Sequence, residues 1–189
     1  MKILVLNGSP RKQGTVATLL RAVAQGASAQ HDVEWIEVYD LQMKPCLACM
    51  RCRPDHECFQ KEDDAHLVGR KIKEADALMV GTPTHWGNMS APLKLLFDRN
   101  VTAFVCEKPE GYPTARHQGK TAVIVTACTA PWPFNVILPV SRGALRAVKY
   151  VLRSSGYKIL GQVVKPGTKF KPQISARLLA RAENLGRKF

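Results

Sequence analysis

The chain has 189 residues, 46% of them apolar, which suits one domain with a sizeable core, and no apolar run approaches the ~18 residues of a membrane span. Collagen, coiled coil, membrane channel and secreted disulfide scaffold are excluded, and a cytoplasmic location is expected, because the apolar start of the chain breaks too early for a secretory leader. The charge is 28 basic against 15 acidic residues, or +13, and it is uneven: residues 142–189 hold twelve Lys or Arg and the single acid Glu183, leaving +2 for residues 1–141.

Residues 2–6 are β-rich and apolar and end at Asn7-Gly8-Ser9-Pro10, which predicts a buried strand and a loop. Val16, Leu19, Leu20, Val23 and Ala27 recur at helical spacing and predict a helix over about 14–29. A second strand is expected over 33–38, then a Cys-rich stretch without a period over 41–64. A helix over about 65–75 and a third strand over 77–81 follow. Pro92 suits the first turn of a helix that carries Leu93, Leu96, Val101 and Phe104. Residues 107–119 read as a polar Pro/Gly loop, 121–126 as the fourth strand, and Val140 to Leu152 as a long helix. A fifth strand over 158–164 and a closing helix with Ile174, Leu178, Leu179, Ala182 and Leu185 complete the alternation. This order predicts a single doubly wound α/β domain over 1–189, a five-stranded parallel sheet of flavodoxin type with helices on both faces.

In such a sheet a ligand lies beyond the carboxyl ends of the strands. That rule selects the loops over 9–15, 82–90 and 126–135, all rich in Gly, Pro, Ser, Thr and Asn. The first leads into a helix N-terminus, where backbone N–H groups favour a phosphate, with Ser9, Thr15 and Arg11 as added donors. It is neither GxxxxGK[ST] nor GxGxxG, so nucleotide hydrolysis and a standard dinucleotide fold are disfavoured; an ordinary strand–helix turn is the plainer alternative. In the second loop Trp86 offers a planar surface, and the peptides around Gly87 and Asn88 offer contacts to the edge of a flat ring. His85 is a proton-donor candidate, though a lone histidine is more often structural.

Gly8-Ser9-Pro10-Arg11, together with Pro83-Thr84-His85-Trp86-Gly87-Asn88-Met89-Ser90 and the following Leu93-Lys94 and Phe97-Asp98-Arg99, resembles the NADPH-dependent FMN reductase-like flavoproteins. The segment from Pro45-Cys46 to Asp63-Asp64 is similar too. The resemblance covers about the first hundred residues. It implies FMN held by the three loops, through Ser9, Arg11, Gly14, Thr15, Val16, Pro83, Thr84, His85, Trp86, Gly87, Asn88, Met89, Thr126 and Ala127, and reduction by NADH or NADPH. One departure stands out: Gly14, Thr15 and Val16 replace the family's usual Ser, Asn and Thr, which shifts the expected phosphate contacts towards backbone N–H groups, Ser9, Thr15 and Arg11.

Six cysteines in a chain read as unsecreted point to metal or redox chemistry. Cys46, Cys49 and Cys52 have the tight spacing that lets a loop wrap a cuboidal iron–sulfur cluster, and Cys58 is the candidate fourth ligand. This resembles the iron–sulfur flavoprotein branch. Free thiols and a zinc site are the alternatives; zinc usually takes two separated pairs of ligands. His56 is a possible substitute ligand, more naturally exposed.

The expected activity is an FMN-dependent NAD(P)H oxidoreductase that passes electrons to a quinone-type acceptor or through a cluster. A flavodoxin-type electron carrier serving a protein partner is the rival, disfavoured by the basic charge. A homodimer or tetramer is expected from the surplus of apolar residues on the helix over 92–104. The basic final quarter suits a phosphorylated cofactor, an acidic partner or a solvated face; nucleic acid is not expected without aromatic interleaving or a helix-turn-helix.

Overall fold

The computed structural model describes residues 1–107 and 111–189. In chain order its elements are β1 (Lys2–Asn7), α1 (Thr15–Ser28), β2 (Asp32–Glu37), a 3-10 turn (Val38–Asp40), α2 (Asp64–Glu74) and β3 (Ala77–Pro83). There follow α3 (Ala91–Arg99), α4 (Val101–Phe104), β4 (Val105–Cys106), β5 (Thr114–Ala115) and β6 (Thr121–Ala127). The chain closes with α5 (Phe134–Ile137), α6 (Val140–Ser154), β7 (Lys158–Lys165) and α7 (Ala176–Gly186).

Five strands form one parallel sheet in the order β2-β1-β3-β6-β7. This is the flavodoxin-like order, with its reversal between β1 and β3. Ile3, Leu4, Val5 and Leu6 are fully buried, as a central strand covered on both faces requires. Ile3, Val5, Met79, Val125 and Val163 face α1 and α7, whereas Leu4, Leu6, Leu78, Val80 and Ile124 face α2, α3 and α6. Each such leucine or isoleucine contributes about 1.5–3 kcal/mol by burial, so the sheet is anchored from both sides.

The helix expected over 92–104 is two helices. Asn100 leaves helical geometry and donates from Nδ2 to the carbonyls of Ala65 and Leu96, both at 3.0 Å. The break lets Phe104 turn inward beside Phe97, at 5.3 Å between ring centroids. Leu93, Leu96, Phe97 and Phe104 are all buried in the chain's own core. Most of the apolar surplus on this segment is therefore spent in the chain's own core and is not left over for the expected subunit contact.

Part of the polar loop expected over 107–119 falls at 108–110, outside the described residues; Thr114–Ala115 in it pairs antiparallel with Val105–Cys106. The closing helix starts at Ala176, capped by Ser175, whose Oγ accepts from the Leu178 N–H at 3.3 Å. Ile174 lies just ahead of it and still packs on the core. Among the described residues no helix is long and apolar enough to cross a membrane.

Candidate functional site

The carboxyl ends of β1, β3 and β6 surround a cleft of about 510 Å3, within the usual range for a small-molecule site. On the first loop Ser9 Oγ accepts from the Arg11 N–H at 3.2 Å, and the Gly14 N–H donates to Arg11 O at 2.9 Å. That turn needs glycine at 14, because a Cβ there would stand 2.8 Å from Arg11 Cβ. Gly14 then caps α1 with no side-chain hydrogen bond, and no acid occupies the first turn. The leading N–H groups of α1 thus face the cleft without a protein acceptor among the described residues, an arrangement that attracts an anion.

Arg11 is exposed on the cleft wall, and its guanidinium has no hydrogen-bond or ion-pair partner among the described residues. Lys169 stands on the opposite wall, and among the described residues no Asp or Glu lines the cleft.

On the second loop His85 and Asn88 exchange backbone bonds at 3.0 and 2.9 Å, closing a tight turn at Trp86 and Gly87. Both turn residues have positive φ, 50° and 70°. This geometry favours glycine at 87 and makes Trp86 an uncommon occupant. The turn is held from outside by α6: a Cβ on Gly87 would lie 2.7 Å from Pro139 O, and Gly143 packs against Gly87 O with no room for a side chain. Behind the loop, Ser90 ties it to its neighbours, with Oγ donating to Gly8 O at 2.7 Å and its N–H donating to Thr82 Oγ1 at 2.9 Å.

The third wall joins β6 to the segment after β7. The Thr84 N–H donates to Ala127 O at 2.9 Å, and Thr168 donates to Cys128 O from both its N–H and Oγ1, each at 3.1 Å. This brings Thr168, Lys169 and Pro172 to the rim, with Cys128 at the base. Burial pushes the Cys128 thiol up, which keeps it neutral.

Of the residues expected around a flavin, Ser9, Arg11, Gly14, Thr15, Val16, Pro83, Thr84, His85 and Ala127 line the cleft. Trp86 is fully exposed, Gly87 and Asn88 lie on the turn, and Met89 and Thr126 are buried behind the wall. Thr126 Oγ1 donates to Thr82 O at 2.8 Å and so braces β3 against β6. Cys128 and Thr129 also line it and fall within the third loop expected over 126–135, whereas nothing in the sequence reading pointed to Thr168 and Lys169. The signal available for the last two is the Pro166-Gly167-Thr168 turn at the carboxyl end of the final strand, which obeys the same topological rule.

The cysteine segment leaves the carboxyl end of β2 and returns at α2. Arg99, its side chain wholly buried, clamps the two ends together: Nη1 donates to Lys44 O and to Asp63 Oδ2, both at 2.7 Å, and Nη2 to Asp63 Oδ1 at 3.1 Å. Burial opposes ionisation of Asp63, yet the bonds from Arg99 and the Lys44 N–H outweigh it and hold the carboxyl below its usual range. His66 accepts from the Asp63 N–H at 3.1 Å and places Nε2 2.8 Å from Cys58 O.

Cys46 and Cys49 are exposed, and Cys52 and Cys58 half-buried. The Ala48 N–H donates to Cys46 Sγ at 3.4 Å. Burial pushes the Cys52 thiol up, with Cys58 and Cys46 adding to the rise and Arg53 opposing it. Among the described residues, no three His, Cys, Asp or Glu side chains are placed to hold a metal ion. The donor chemistry therefore suits a cluster, while the sulfurs as positioned do not form its geometry. His56 is exposed and engages the core through its carbonyl, which accepts from Thr102 Oγ1 at 2.8 Å.

Two further grooves, of about 850 and 550 Å3, flank β7. They lie along the sheet's edge and not at the strand ends, so the smaller cleft is the better candidate for chemistry.

Residues 1–165 match the NADPH-dependent FMN reductase family. An iron-sulfur flavoprotein of Archaeoglobus fulgidus is 39% identical over 103 residues, which cover 54% of this chain and 50% of that protein. One of Methanocaldococcus jannaschii is 34% identical over 101 residues, covering 53% and 52%. The matched stretch thus spans about half the length of these relatives. Among solved structures, an NAD(P)H:quinone oxidoreductase from Methanothermobacter marburgensis superposes with a TM-score of 0.75 at 22% identity, covering 100% of this chain and 96% of that one. At that identity the likeness concerns the fold.

Proposed function

The chain belongs to the NADPH-dependent FMN reductase family, and from this premise we propose that it is an FMN-dependent NAD(P)H oxidoreductase acting on a quinone-type acceptor. The observation that carries the reading is the cleft at the strand ends, free of acids among the described residues, where N–H groups of α1 and an Arg11 guanidinium without a described partner converge. Bound FMN would supply two-electron redox chemistry between NADH or NADPH and the acceptor.

In this reading Arg11, Ser9, Thr15 and the first N–H groups of α1 hold the phosphate, with Lys169 closing the opposite side. Pro83, Thr84 and the peptides of Gly87 and Asn88 contact the edge of the ring system. Val16, Ala127 and the buried Met89 and Thr126 shape and support the floor. Trp86, projecting from its strained turn, covers the ring from the solvent side. Reduction of a quinone by NAD(P)H consumes a proton besides the hydride, and the exposed His85 imidazole is placed on the rim to donate it. Stoichiometric release of FMN on denaturation, with steady-state NAD(P)H oxidation by a soluble quinone, tests the proposal; absence of flavin after reconstitution refutes it.

A second element concerns the cysteine segment. Its four thiols, the N–H donated to Cys46 Sγ and the cations Arg53 and Arg99 beside Cys52 and Cys58 favour Cys46, Cys49, Cys52 and Cys58 as ligands of a four-iron cluster. We assign the chain to homodimers through Trp132, Phe134, Ile137 and Leu138, exposed apolar residues in and beside α5, and not through the helix over 92–104.

A further inference from the structure

β7 is the last strand on its side of the sheet. Among the described residues, the backbone of residues 159–164 hydrogen-bonds only to β6. In a parallel ladder alternate residues turn N–H and C=O away from the neighbour, so the outer edge of β7 presents both donors and acceptors. Such an edge is a template for another strand.

Two helices flank the edge, one on each face: α6 packs with Ile159 and Val164, and α7 with Leu160 and Val163. On α6, Arg142, Arg146, Lys149 and Arg153 recur at helical spacing along the 550 Å3 groove. On α7, Arg177 and Arg181 do the same along the 850 Å3 groove, with Lys188 just past the helix end, and the two grooves meet at Gln162. None of these cations pairs with a carboxylate among the described residues. The row on α6 spans about 16 Å at the helical rise, the length of about five residues of extended chain.

We propose that the outer edge of β7 is a docking site for an extended acidic segment of a partner protein, which adds as a further strand. Successive side chains of a strand point to opposite faces. An acidic run therefore lays one set of carboxylates over the cations of α6 and the other over those of α7, while its backbone pairs with β7. Gln162 Oε1 is buried without a partner where the grooves meet, an acceptor that a peptide N–H fills and a phosphate oxygen cannot. A nucleic-acid backbone likewise leaves the outward carbonyls of β7 unpaired. A second copy of this chain brings the same cations against themselves.

The test is fluorescence anisotropy at low salt with a labelled, end-blocked octapeptide of glutamate and valine. Two controls accompany it: the same peptide with alternate backbone amides N-methylated, and an oligothymidylate of equal charge. The peptide is expected to bind, N-methylation to abolish binding, and the double variant Arg146→Glu, Arg181→Glu to weaken it by about tenfold or more. Thermal melting checks that the variant folds; where it does not, Arg146→Gln with Arg181→Gln replaces it, with a smaller loss expected. No peptide binding, binding indifferent to N-methylation, tighter capture of oligothymidylate, or a dimer in light scattering that the double variant dissolves overturns the proposal.

Discussion

Gly143 on α6 packs directly against the carbonyl oxygen of Gly87, so a helix on the sheet's flank sets the position of the turn beside the cleft. The contact joins two positions far apart in sequence and tolerates no Cβ at 143. Gly143→Ala is expected to displace the turn, at a stability loss of about 1–3 kcal/mol typical of overpacking. Titration of the apoprotein with FMN should show weaker binding with the circular dichroism spectrum retained. Unchanged affinity would show that the turn does not contact the cofactor.

Arg11→Ala removes a charge-assisted contact to the phosphate and should weaken FMN binding by about 1.5–3 kcal/mol. Lys169→Ala should act in the same direction. Riboflavin lacks the phosphate and should lose much less in both variants. Equal losses for the two ligands, measured by flavin fluorescence, would assign Arg11 to the fold.

His117 is buried, places Nε2 2.8 Å from Ala103 O and stacks on Tyr157 at 4.7 Å. Burial, with smaller contributions from Lys120 and Arg116 against the Ala103 bond, lowers its pKa from 6.5 to about 4. Between those values the unfolded chain binds more protons than the folded one. Stability is therefore full above about pH 6.5 and declines as pH falls towards 4. Thermal melts across that range should show the decline, and His117→Gln should flatten it; an equally steep variant would place the sensitivity in other groups.

For the cysteine segment, anaerobically purified or reconstituted protein should contain iron and acid-labile sulfide in equal amounts, about four each per chain for a cuboidal cluster. Cys52→Ser should remove or cripple the cluster and leave FMN bound. Reconstitution with iron and sulfide that yields no cluster would leave a plain flavin reductase with free thiols.

Light scattering should report a dimer or a dimer-based tetramer, with Phe134→Glu shifting it towards monomer. A monomer at all practical concentrations contradicts the assignment of the patch around α5.

The strands and the first two walls of the cleft can be read from the chain because buried parallel strands are short apolar runs and their ends are marked by Gly, Pro, Ser and Thr. The break at Asn100 cannot, since the residue is held by the carbonyl of Ala65, a contact created by folding. Lys169 was hidden for a similar reason: Thr168 must bond to Cys128 before Lys169 reaches the rim. The four cysteines show donor type and spacing, but spacing alone does not bring sulfurs together in the structure.

With Lys44 and Asp63 pinned by one guanidinium, residues 45–62 form a ring closed at its neck. The entropy of closing such a ring grows only with the logarithm of its contour, about 0.6 kcal/mol for each doubling. Insertions in the exposed stretch 47–51 should therefore leave the sheet's stability nearly untouched, provided Arg99 keeps its grip and the carbonyls of His56 and Cys58 keep their bonds to Thr102 and His66. The segment is a module whose length can vary while its attachment stays fixed.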